Sequence, residues 1–339
     1  MTRDGKLADR LSWVQQNVPL ASLLYYRIGG AARFLIDAGS RDDLLRAVEF
    51  VDRERPGPVL IIGLGSNLIF PDAGWDGVVI RVVRGGAATM RQREATDSVV
   101  TVQGYGGEIL DDFLCYTLDA GLAGLEWAGG LPGTLGAGVR GNVGAFGGEV
   151  KDTLVSAETV KFQDDGEPVV QCLGNAGLAF SYRDSLVKRE PGTVVVAASF
   201  ELKTASPEQL AEARATYDRN VAYRRRRHPM EFPNCGSVFK NINRPEQVAT
   251  ILDIWPDVAE KVRTNWYGKV SMGYIIGRLG LAGFTVGGAQ ISEKHNNFIV
   301  NRGGARAADV WEIIATVQER VSATFGFVPE VEVEIVEQP

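Results

Sequence analysis

The sequence predicts an α+β protein of several domains, and three observations lead to that class. Its 339 residues are enough for two or three domains with large buried cores. A helical apolar pattern over residues 40–55 is followed by apolar runs at 59–62 and 78–83, which indicates a β–α–β unit. The chain closes with EVEVEIV at residues 330–336, and this two-residue alternation is typical of a half-buried strand.

Helix and strand signals alternate along the rest of the chain. The first helix is predicted from Ser40, an N-cap residue with Asp43 three positions later, to Arg55. Further helices are predicted at 109–118, 206–226, 246–262, 273–279 and 307–324. Strands are predicted at 59–62, 78–83, 99–102, 155–162, 193–202 and 298–301. Residues 121–148 show neither period, and a structureless stretch of this length in a compact domain is usually functional.

Composition and charge argue against several classes of protein. The formal net charge is −6, so the chain has no global attraction for nucleic acid. The first residues, MTRDGKLADR, lack the apolar core of a signal peptide, and no apolar run approaches membrane-spanning length. Three scattered cysteines form no CxxC pair, and two histidines are too few for a His-rich metal site. We therefore expect a cytoplasmic protein with no metal and with neither nucleic-acid nor membrane partners.

The stretch GLGSN at residues 63–67 directly follows the apolar run 58–62. It shares only two glycines with the G-x-G-x-x-G dinucleotide fingerprint, because Leu68 stands where the third glycine is needed. The G-x-x-x-x-G-K-[ST] pattern of a P-loop is absent as well. The turn can still offer backbone N–H groups, with the side chains of Ser66 and Asn67, as an anion-binding nest. A plain tight β-turn is the alternative.

A second glycine-rich segment, residues 129–138, makes the nest the better interpretation. It combines many backbone donors with few bulky side chains and one hydroxyl. Two such segments in one domain suit a diphosphate that is held from both sides.

Six segments together resemble one family. In chain order they are YRIGG (26–30), GLGSNL (63–68), GLEWAGGLPGTLGAGVRGNVGAFGGEVKD (124–152), YRDS (182–185), CGSVFKN (235–241) and GGAQISEKHNNFIVN (287–301). Each is weak alone, but in this order and spacing they resemble the UDP-N-acetylenolpyruvoylglucosamine reductase (MurB) family from about residue 18 to 334. The strand predicted at 193–202 follows YRDS without the tyrosine-bearing insertion of one subclass, so the chain resembles the shorter subclass.

This resemblance implies a fold, a cofactor and a reaction. The fold is the vanillyl-alcohol-oxidase-type (PCMH) FAD-binding fold, with two α/β subdomains and an α+β substrate-binding domain. The expected ranges are 1–84 for the first FAD-binding subdomain, 85–220 with the C-terminal strand 326–339 for the second, and 221–325 for the substrate-binding domain. The implied activity is NADPH-dependent reduction of UDP-N-acetylglucosamine enolpyruvate to UDP-N-acetylmuramate in peptidoglycan synthesis, by a monomer with non-covalent FAD.

The family's motifs also assign residues to the cofactor. GLGSN and the segment that faces it are expected to hold the FAD diphosphate. The first group is Ile62, Gly63, Gly65, Ser66, Asn67 and Leu68. The second group is Gly130, Pro132, Gly133, Thr134, Gly136, Gly138, Asn142 and Gly144.

Three residues are expected to carry the chemistry. Arg183 matches the cation that stabilises the charge formed on the substrate carboxylate, and its two parallel N–H donors suit that task. Ser237 matches the family's proton donor, and Cys235 is the alternative acid. Counted from Phe325-Gly326, the family's active-site glutamate falls on Glu332, with Glu330 the runner-up.

Substrate contacts are expected from Tyr182, Lys240, Asn241 and Lys294, with the arginine run 224–227 as further candidates for the UDP diphosphate. The family commonly has lysine where this chain has Ala282, tyrosine in place of Phe146, and methionine in place of Gly141. These departures leave open which cation contacts the diphosphate. The sequence also does not decide between NADPH and NADH.

Two other functions remain as alternatives at this level. One is a flavin oxidase of the same superfamily, which often attaches FAD covalently through His or Cys near the glycine turn, where this chain has neither. The other is a non-catalytic nucleotide-sugar-binding paralogue, against which the presence of Arg183, Ser237 and Glu332 argues.

Overall fold

The described residues form four apolar cores around three sheets, because the first sheet has a core on each of its faces. The computed structural model describes residues 13–86, 90–95, 98–163 and 168–337. The expected domain ranges therefore extend beyond the described residues at both termini and at the internal gaps.

The first sheet has four strands, β1 (Val14–Pro19), β2 (Ala31–Ala38), β3 (Val59–Ile62) and β5 (Trp75–Val82), in the order β1-β2-β5-β3. Strands β2 and β3 both run parallel to β5, and helix α1 (Arg41–Glu54) connects them. The Asp43 N–H donates to the Ser40 hydroxyl at 3.2 Å, and the helix buries Leu44 and Val48 against this sheet. The predicted β–α–β unit and its N-cap are confirmed. Between β3 and β5 lies the short strand β4 (Leu68–Ile69).

The second sheet is antiparallel and has six strands. They are β6 (Arg91–Ala95), β7 (Val99–Tyr105), β8 (Leu122–Ala123), β11 (Leu154–Lys161), β12 (Val169–Gly174) and β13 (Thr193–Thr204). Helices α2 (Leu110–Asp119) and α3 (Leu135–Arg140) contribute to its core, where Phe113 and Leu135 lie with Phe200. Two further short strands, β9 (Gly144–Ala145) and β10 (Gly148–Glu149), form a separate hairpin. The short helix α4 (Leu186–Arg189) precedes β13.

The long helix α5 (Pro207–Arg227) leads into a region where helices pack around a small third sheet and share one apolar core. The helices are α6 (Pro245–Ile254), α7 (Ala259–Thr264), α8 (Met272–Arg278) and α9 (Ala307–Phe325). The sheet consists of β14 (Thr285–Val286), β15 (Ala289–Ile291) and β16 (Ile299–Asn301). The last helix ends as predicted, at a left-handed Gly326 with φ 77°.

Three predictions about individual elements are wrong. The helix predicted at 246–262 is broken at Pro256, which has no N–H to donate and whose ring crowds the preceding turn. Residues 121–148 are not devoid of regular structure, because α3 and the short strands β8 and β9 lie there. The alternating run 330–336 forms a strand only at β17 (Glu334–Ile335).

The C-terminal segment contacts residues in all three of the predicted domain ranges. Its strand β17 runs parallel to β4, in the range predicted for the first subdomain rather than the second. Upstream of β17, the Glu332 N–H donates to the Val238 carbonyl at 2.8 Å, and the Lys240 N–H donates to the Glu330 carbonyl at 3.0 Å. The grouping of residues 326–339 with the second subdomain stays a prediction, and the Glu334 side chain reaches that range through its ion pair with Arg140. The domain boundaries themselves stay a prediction.

Candidate active site

The turn GLGSN lies between β3 and β4 and requires glycine at two positions. Gly65 has a left-handed backbone, φ 63°, and a Cβ there would run into the buried side chain of Leu24. A Cβ on Gly63 would lie 2.7 Å from Oγ1 of Thr134, in the second glycine-rich segment. The two segments therefore approach each other closely, as the sequence predicts.

The second segment is held in place by backbone hydrogen bonds. The Leu135 N–H donates to the Glu108 carbonyl at 2.8 Å, and the Gly136 N–H donates to the Gly106 carbonyl at 2.8 Å. Thr134 is buried, and its hydroxyl accepts from the Ala137 N–H at 3.4 Å as the N-cap of α3. The segment is thus a fixed surface opposite the first turn.

A cavity of about 170 Å³ opens between the two segments. The predicted cofactor residues that line it are Ile62, Gly63, Gly65, Ser66, Asn67, Leu68, Thr134 and Gly136. An adjoining groove of about 380 Å³ is lined by Gly130, Pro132, Gly133, Gly138 and Gly144, and it shares Ser66, Asn67 and Thr134 with the cavity. Two connected spaces lined by glycine backbone fit an extended cofactor such as FAD.

Asn142 is the predicted cofactor residue that lines neither space. Its side chain is buried and donates to Glu149 Oε2 at 3.1 Å and to the Ser181 carbonyl at 2.9 Å. Its Oδ1 accepts from the Lys151 N–H at 3.1 Å. The structure therefore gives this side chain a bracing role beside the Tyr182-Arg183 turn.

The groove brings Arg183, Ser237 and Glu332 together. Arg183 lies in the tight turn 181–184 with φ 57°, a strained backbone conformation for a residue other than glycine. Its Nε donates to Glu332 Oε1 at 2.9 Å, and its Nη2 donates to the Gly144 carbonyl at 2.6 Å. The guanidinium is thereby fixed at the end of the second glycine-rich segment.

Glu332 connects the C-terminal segment to two other parts of the chain. Asn67 Nδ2 donates to its carbonyl at 3.4 Å, so the residue contacts the first glycine turn as well as Val238. Burial raises the pKa of the Glu332 carboxyl, although Arg183 acts in the opposite direction. Glu330, the runner-up, instead pairs with Lys240 and does not line the groove.

Two asparagines hold the backbone on either side of Ser237. The Gly236 N–H donates to Asn234 Oδ1 at 3.0 Å, and the Asn297 side chain exchanges hydrogen bonds with the backbone of Phe239. Cys235 is fully buried, and burial raises the pKa of its thiol to about 12. Its complete burial, and not the acidity of its thiol, argues against Cys235 as the donor.

The four predicted substrate residues lie outside the groove. Tyr182 and Lys240 line a recess on the other side of the Arg183–Glu332 pair. Asn241 Oδ1 accepts from the Met272 N–H at 3.1 Å at the start of α8. Lys294 Nζ donates to the Arg225 carbonyl and to Glu231 Oε2, both at 3.1 Å.

Sequence reasoning singled out the arginine run but not which member faces the groove. Arg224 lines it, is 7% exposed, and donates from Nε to the Gly129 carbonyl at 2.9 Å. Its Nη2 has no hydrogen-bond partner among the described residues, and burial lowers the pKa of the guanidinium to about 10. Helical spacing could have identified Arg224 as the buried member of the run, because Ala213, Asn220 and Arg224 share the buried face of α5.

An aromatic wall completes the groove near Arg224. It comprises Phe146, Tyr223, His228 and Phe298. The Arg224 guanidinium lies 5.2 Å from the centroid of the Phe146 ring. Burial, together with His295, lowers the pKa of His228 to about 3, so its imidazole is neutral at physiological pH. Of these four residues, the sequence singles out Phe146, where the family commonly has tyrosine, but it does not indicate that the other three line the site.

Within the described residues, no three His, Cys, Asp or Glu side chains are grouped so that they could hold a metal ion. No helix in the same ranges is long and apolar enough to cross a membrane.

Comparison with known proteins gives consistent results over nearly the whole chain. Residues 32–170 match a family model described as FAD binding domain, and residues 228–336 match one described as UDP-N-acetylenolpyruvoylglucosamine reductase, C-terminal domain. The UDP-N-acetylenolpyruvoylglucosamine reductase of Anoxybacillus flavithermus is 34% identical over 334 residues, which is 98% of each chain. The Synechococcus sp. (strain WH7803) reductase is 36% identical over 320 residues, covering 94% of this chain and 92% of its own.

A solved structure of such a reductase also matches this chain. The crystal structure of UDP-N-acetylenolpyruvylglucosamine reductase from Thermus caldophilus superposes with a TM-score of 0.69 at 30% identity. The match covers 96% of this chain and 99% of the Thermus chain.

Proposed function

The chain belongs to the UDP-N-acetylenolpyruvoylglucosamine reductase family, and on that basis we propose how its residues carry out the reaction. It is a flavin oxidoreductase with the FAD-binding fold, and it reduces UDP-N-acetylglucosamine enolpyruvate to UDP-N-acetylmuramate, a step of peptidoglycan synthesis. Bound FAD supplies the hydride chemistry between NADPH, the proposed donor, and C3 of the enolpyruvyl group. Neither the oxidase nor the non-catalytic alternative is favoured, since the matched relatives are reductases.

The observation that supports the residue roles most strongly is the meeting of Arg183, Ser237 and Glu332 in one groove. The three residues come from sequence segments about 50 and 100 residues apart, so their meeting depends on the tertiary fold. The glycine-lined walls that fit the flavin continue into the same groove.

Arg183 binds the substrate carboxylate in this proposal. Addition of hydride at C3 leaves negative charge on C2 and the carboxylate, and a fixed guanidinium stabilises that charge as it forms. Its hydrogen bonds to Glu332 and to the Gly144 carbonyl hold it ready before substrate arrives. Such preorganisation avoids reordering the cation during the reaction.

Ser237 then protonates C2, with Glu332 assisting. A serine hydroxyl is a weak acid, so it serves only because the enolate formed on the substrate is strongly basic. The position of Glu332 supports its role, since its carboxyl lines the same groove as Ser237 and is hydrogen-bonded to Arg183, and burial raises its pKa.

For the UDP diphosphate we favour Arg224 over the other cations. It is the member of the arginine run that lines the groove, and its unpartnered Nη2 supports an anionic ligand nearby. Tyr182, Lys240, Asn241 and Lys294 stay proposed as substrate contacts, although Lys240 and Lys294 are paired with Glu330 and Glu231. We therefore also propose Arg224 as the cation that stands in for the lysine replaced by Ala282.

We further propose that the enzyme acts as a cytoplasmic monomer with non-covalent FAD. Three free cysteines and the absence of His or Cys beside GLGSN support the compartment and the non-covalent attachment. The ranges 1–84, 85–220 and 221–325 remain our proposed division into two FAD-binding subdomains and a substrate-binding domain.

The reaction is tested in two anaerobic half-reactions on the purified holoenzyme. NADPH should bleach the yellow flavin, and UDP-N-acetylglucosamine enolpyruvate should restore its colour. Failure of the bleached enzyme to reoxidise with that compound would refute the proposed reaction.

Substitution of Ser237 separates its role from flavin reduction. In S237A the NADPH half-reaction should proceed normally, while reoxidation by substrate should slow by about 10²–10⁴-fold, the usual contribution of a general acid. Stopped-flow absorbance of the flavin measures both rates. The neighbouring C235A is the control, because it removes the alternative donor, whose side chain is fully buried. Normal reoxidation in S237A with slow reoxidation in C235A would reverse the assignment.

A further inference from the structure

Three charged side chains line the cavity between the two glycine segments, and none has a role in the mechanism above. They are Arg140 at the end of α3, Lys188 in α4 and Glu334 in β17. Arg140 Nη1 forms an ion pair with Glu334 Oε1, and Lys188 Nζ lies 3.8 Å from the same oxygen. Among the described residues that line this cavity, Arg140 and Lys188 are the Lys or Arg side chains.

The position of Glu334 is set by the strand and not by the flexibility of its side chain. The Glu334 N–H donates to the Asn67 carbonyl at 3.0 Å, so the residue is fixed to the end of the GLGSN turn. Alternation along the C-terminal segment places Glu330 and Glu332 on the same face, and each meets its own cation, Lys240 and Arg183. The carboxylate of Glu334 therefore enters the cavity as part of the fold.

The charge balance of the cavity suits an anion that is more highly charged than a carboxylate. The two cations face one carboxylate, so one positive charge is left over, and the backbone N–H groups of the glycine segments add to it. All three side chains are partly exposed, at 39%, 23% and 38%, and can exchange partners without breaking the core. A diphosphate binds two such cations better than one carboxylate does, because it carries more charge and more acceptor oxygens.

We propose that Arg140 and Lys188 bind the FAD diphosphate and that Glu334 is an internal competitor that pairs with them when the flavin is absent. This inference rests on the proposed function, since it assumes that the glycine-lined cavity holds FAD. FAD binding then includes exchange of the Arg140–Glu334 ion pair for a pair between Arg140 and the diphosphate. Glu334 should weaken FAD binding, whereas Arg140 and Lys188 should strengthen it, and this difference makes the proposal testable.

The test measures the FAD dissociation constant of holoenzymes carrying R140Q, K188Q or E334Q. Free FAD is quantified by its fluorescence after serial dilution, at low and at high salt. R140Q should weaken binding about five- to tenfold and K188Q about threefold, in line with partly exposed charge pairs. E334Q should tighten binding about threefold. Salt should weaken binding less in R140Q than in the wild type, because a screened charge contact has been removed.

Matched controls come from the Arg41–Glu158 ion pair, which joins α1 to β11 and lines neither cavity nor groove. R41Q and E158Q should leave the dissociation constant unchanged within about twofold, since a distant surface pair has little effect. R140K, which keeps the charge, should recover most of the affinity that R140Q loses. Circular dichroism of each variant confirms that the chain is folded.

Two results would overturn the proposal. Weaker FAD binding in E334Q would make the carboxylate a ligand or a structural tie instead of a competitor. Equal affinity in R140Q, K188Q and wild type would show that these cations do not contact the diphosphate. In both cases the wild type still binds FAD, so the proposed function survives, whereas a wild type that holds no FAD would overturn both.

Discussion

At the scale of single residues, the carboxyl of Glu332 is subject to two opposing effects. Burial favours its neutral form, and the Arg183 guanidinium 2.9 Å away favours its charged form. The net direction of the pKa is upward, so burial is the larger effect. A carboxyl that keeps its proton to a higher pH is a better proton donor than an exposed one at the same pH.

This raised pKa predicts how stability depends on pH. The unfolded chain loses the Glu332 proton first, near the ordinary pKa of about 4.3. The stabilising contribution of the protonated carboxyl is therefore complete below that pH and is lost as pH rises through the higher folded-state pKa. E332Q cannot titrate, so its unfolding free energy relative to wild type should increase with pH upward from about 4.3. Urea unfolding of both chains at a series of pH values measures this.

E330Q is the control for that comparison, since it removes one carboxylate from the same strand face outside the groove. A relative stability of E332Q that stays flat or falls with pH would contradict the assigned direction of the pKa.

At the scale of elements, the GLGSN turn shows why glycine is needed beside a ligand. At Gly65 two constraints coincide, the left-handed backbone and the contact with Leu24. Gly121 has a similar φ of 78°, but a Cβ there would meet no described atom within 4 Å, so only the backbone constraint applies. Substitutions at Gly65 and Gly121 therefore separate the effect of backbone strain from the effect of displacing the turn.

We predict that G65V loses flavin while G121V keeps it. Both variants carry the strain of a left-handed valine, on the order of 1–3 kcal/mol. Only G65V also displaces Leu24 and the turn that lines the cavity. The ratio of flavin absorbance to protein absorbance after purification measures occupancy. Full occupancy in G65V, or equal loss in both variants, would refute the role of this turn.

Local patterns predicted elements well where one signal dominated. The cap at Ser40, the strand Val59–Ile62 and the end of α9 at Gly326 were all predictable, because capping, apolar runs and a C-terminal glycine act locally. Helix α3 was missed because its sequence, LGAGVR, contains two glycines and because a helix of six residues depends on tertiary contacts for its stability. The short pairing of β17 with β4 joins residues far apart in the chain, which no local pattern reports.

At the scale of the whole molecule, the cofactor cavity draws on distant parts of the chain. Its lining includes residues from 61–68, 134–141, 187–195 and 334. Contacts between the cores support it, since the Asn301 side chain donates to the Tyr26 and Arg27 carbonyls, and Asp72 accepts from the Ala307 N–H at 2.8 Å. A ligand that bridges such segments binds the folded chain and not the unfolded one.

FAD should therefore stabilise the chain as a whole. At a free FAD concentration of about 100 times the dissociation constant, the gain is about 2.7 kcal/mol. The melting temperature should rise steadily with FAD concentration, as followed by tryptophan fluorescence. Riboflavin, which lacks the diphosphate, should raise it much less. A melting temperature that is independent of FAD would contradict a cavity built from these segments.

Sequence patterns were sufficient for the α+β class, the first β–α–β unit and the family, and with the family came the cofactor and the reaction. These follow from short-range signals and from motifs whose order is visible along the chain. Which residues meet became clear only in the folded chain. Glu332 and not Glu330 enters the groove, Arg224 lines it while Lys240 and Lys294 pair elsewhere, and Glu334 faces Arg140. The physical reason is that strand alternation restricts residues to a face, whereas the partner on that face depends on segments brought together by folding.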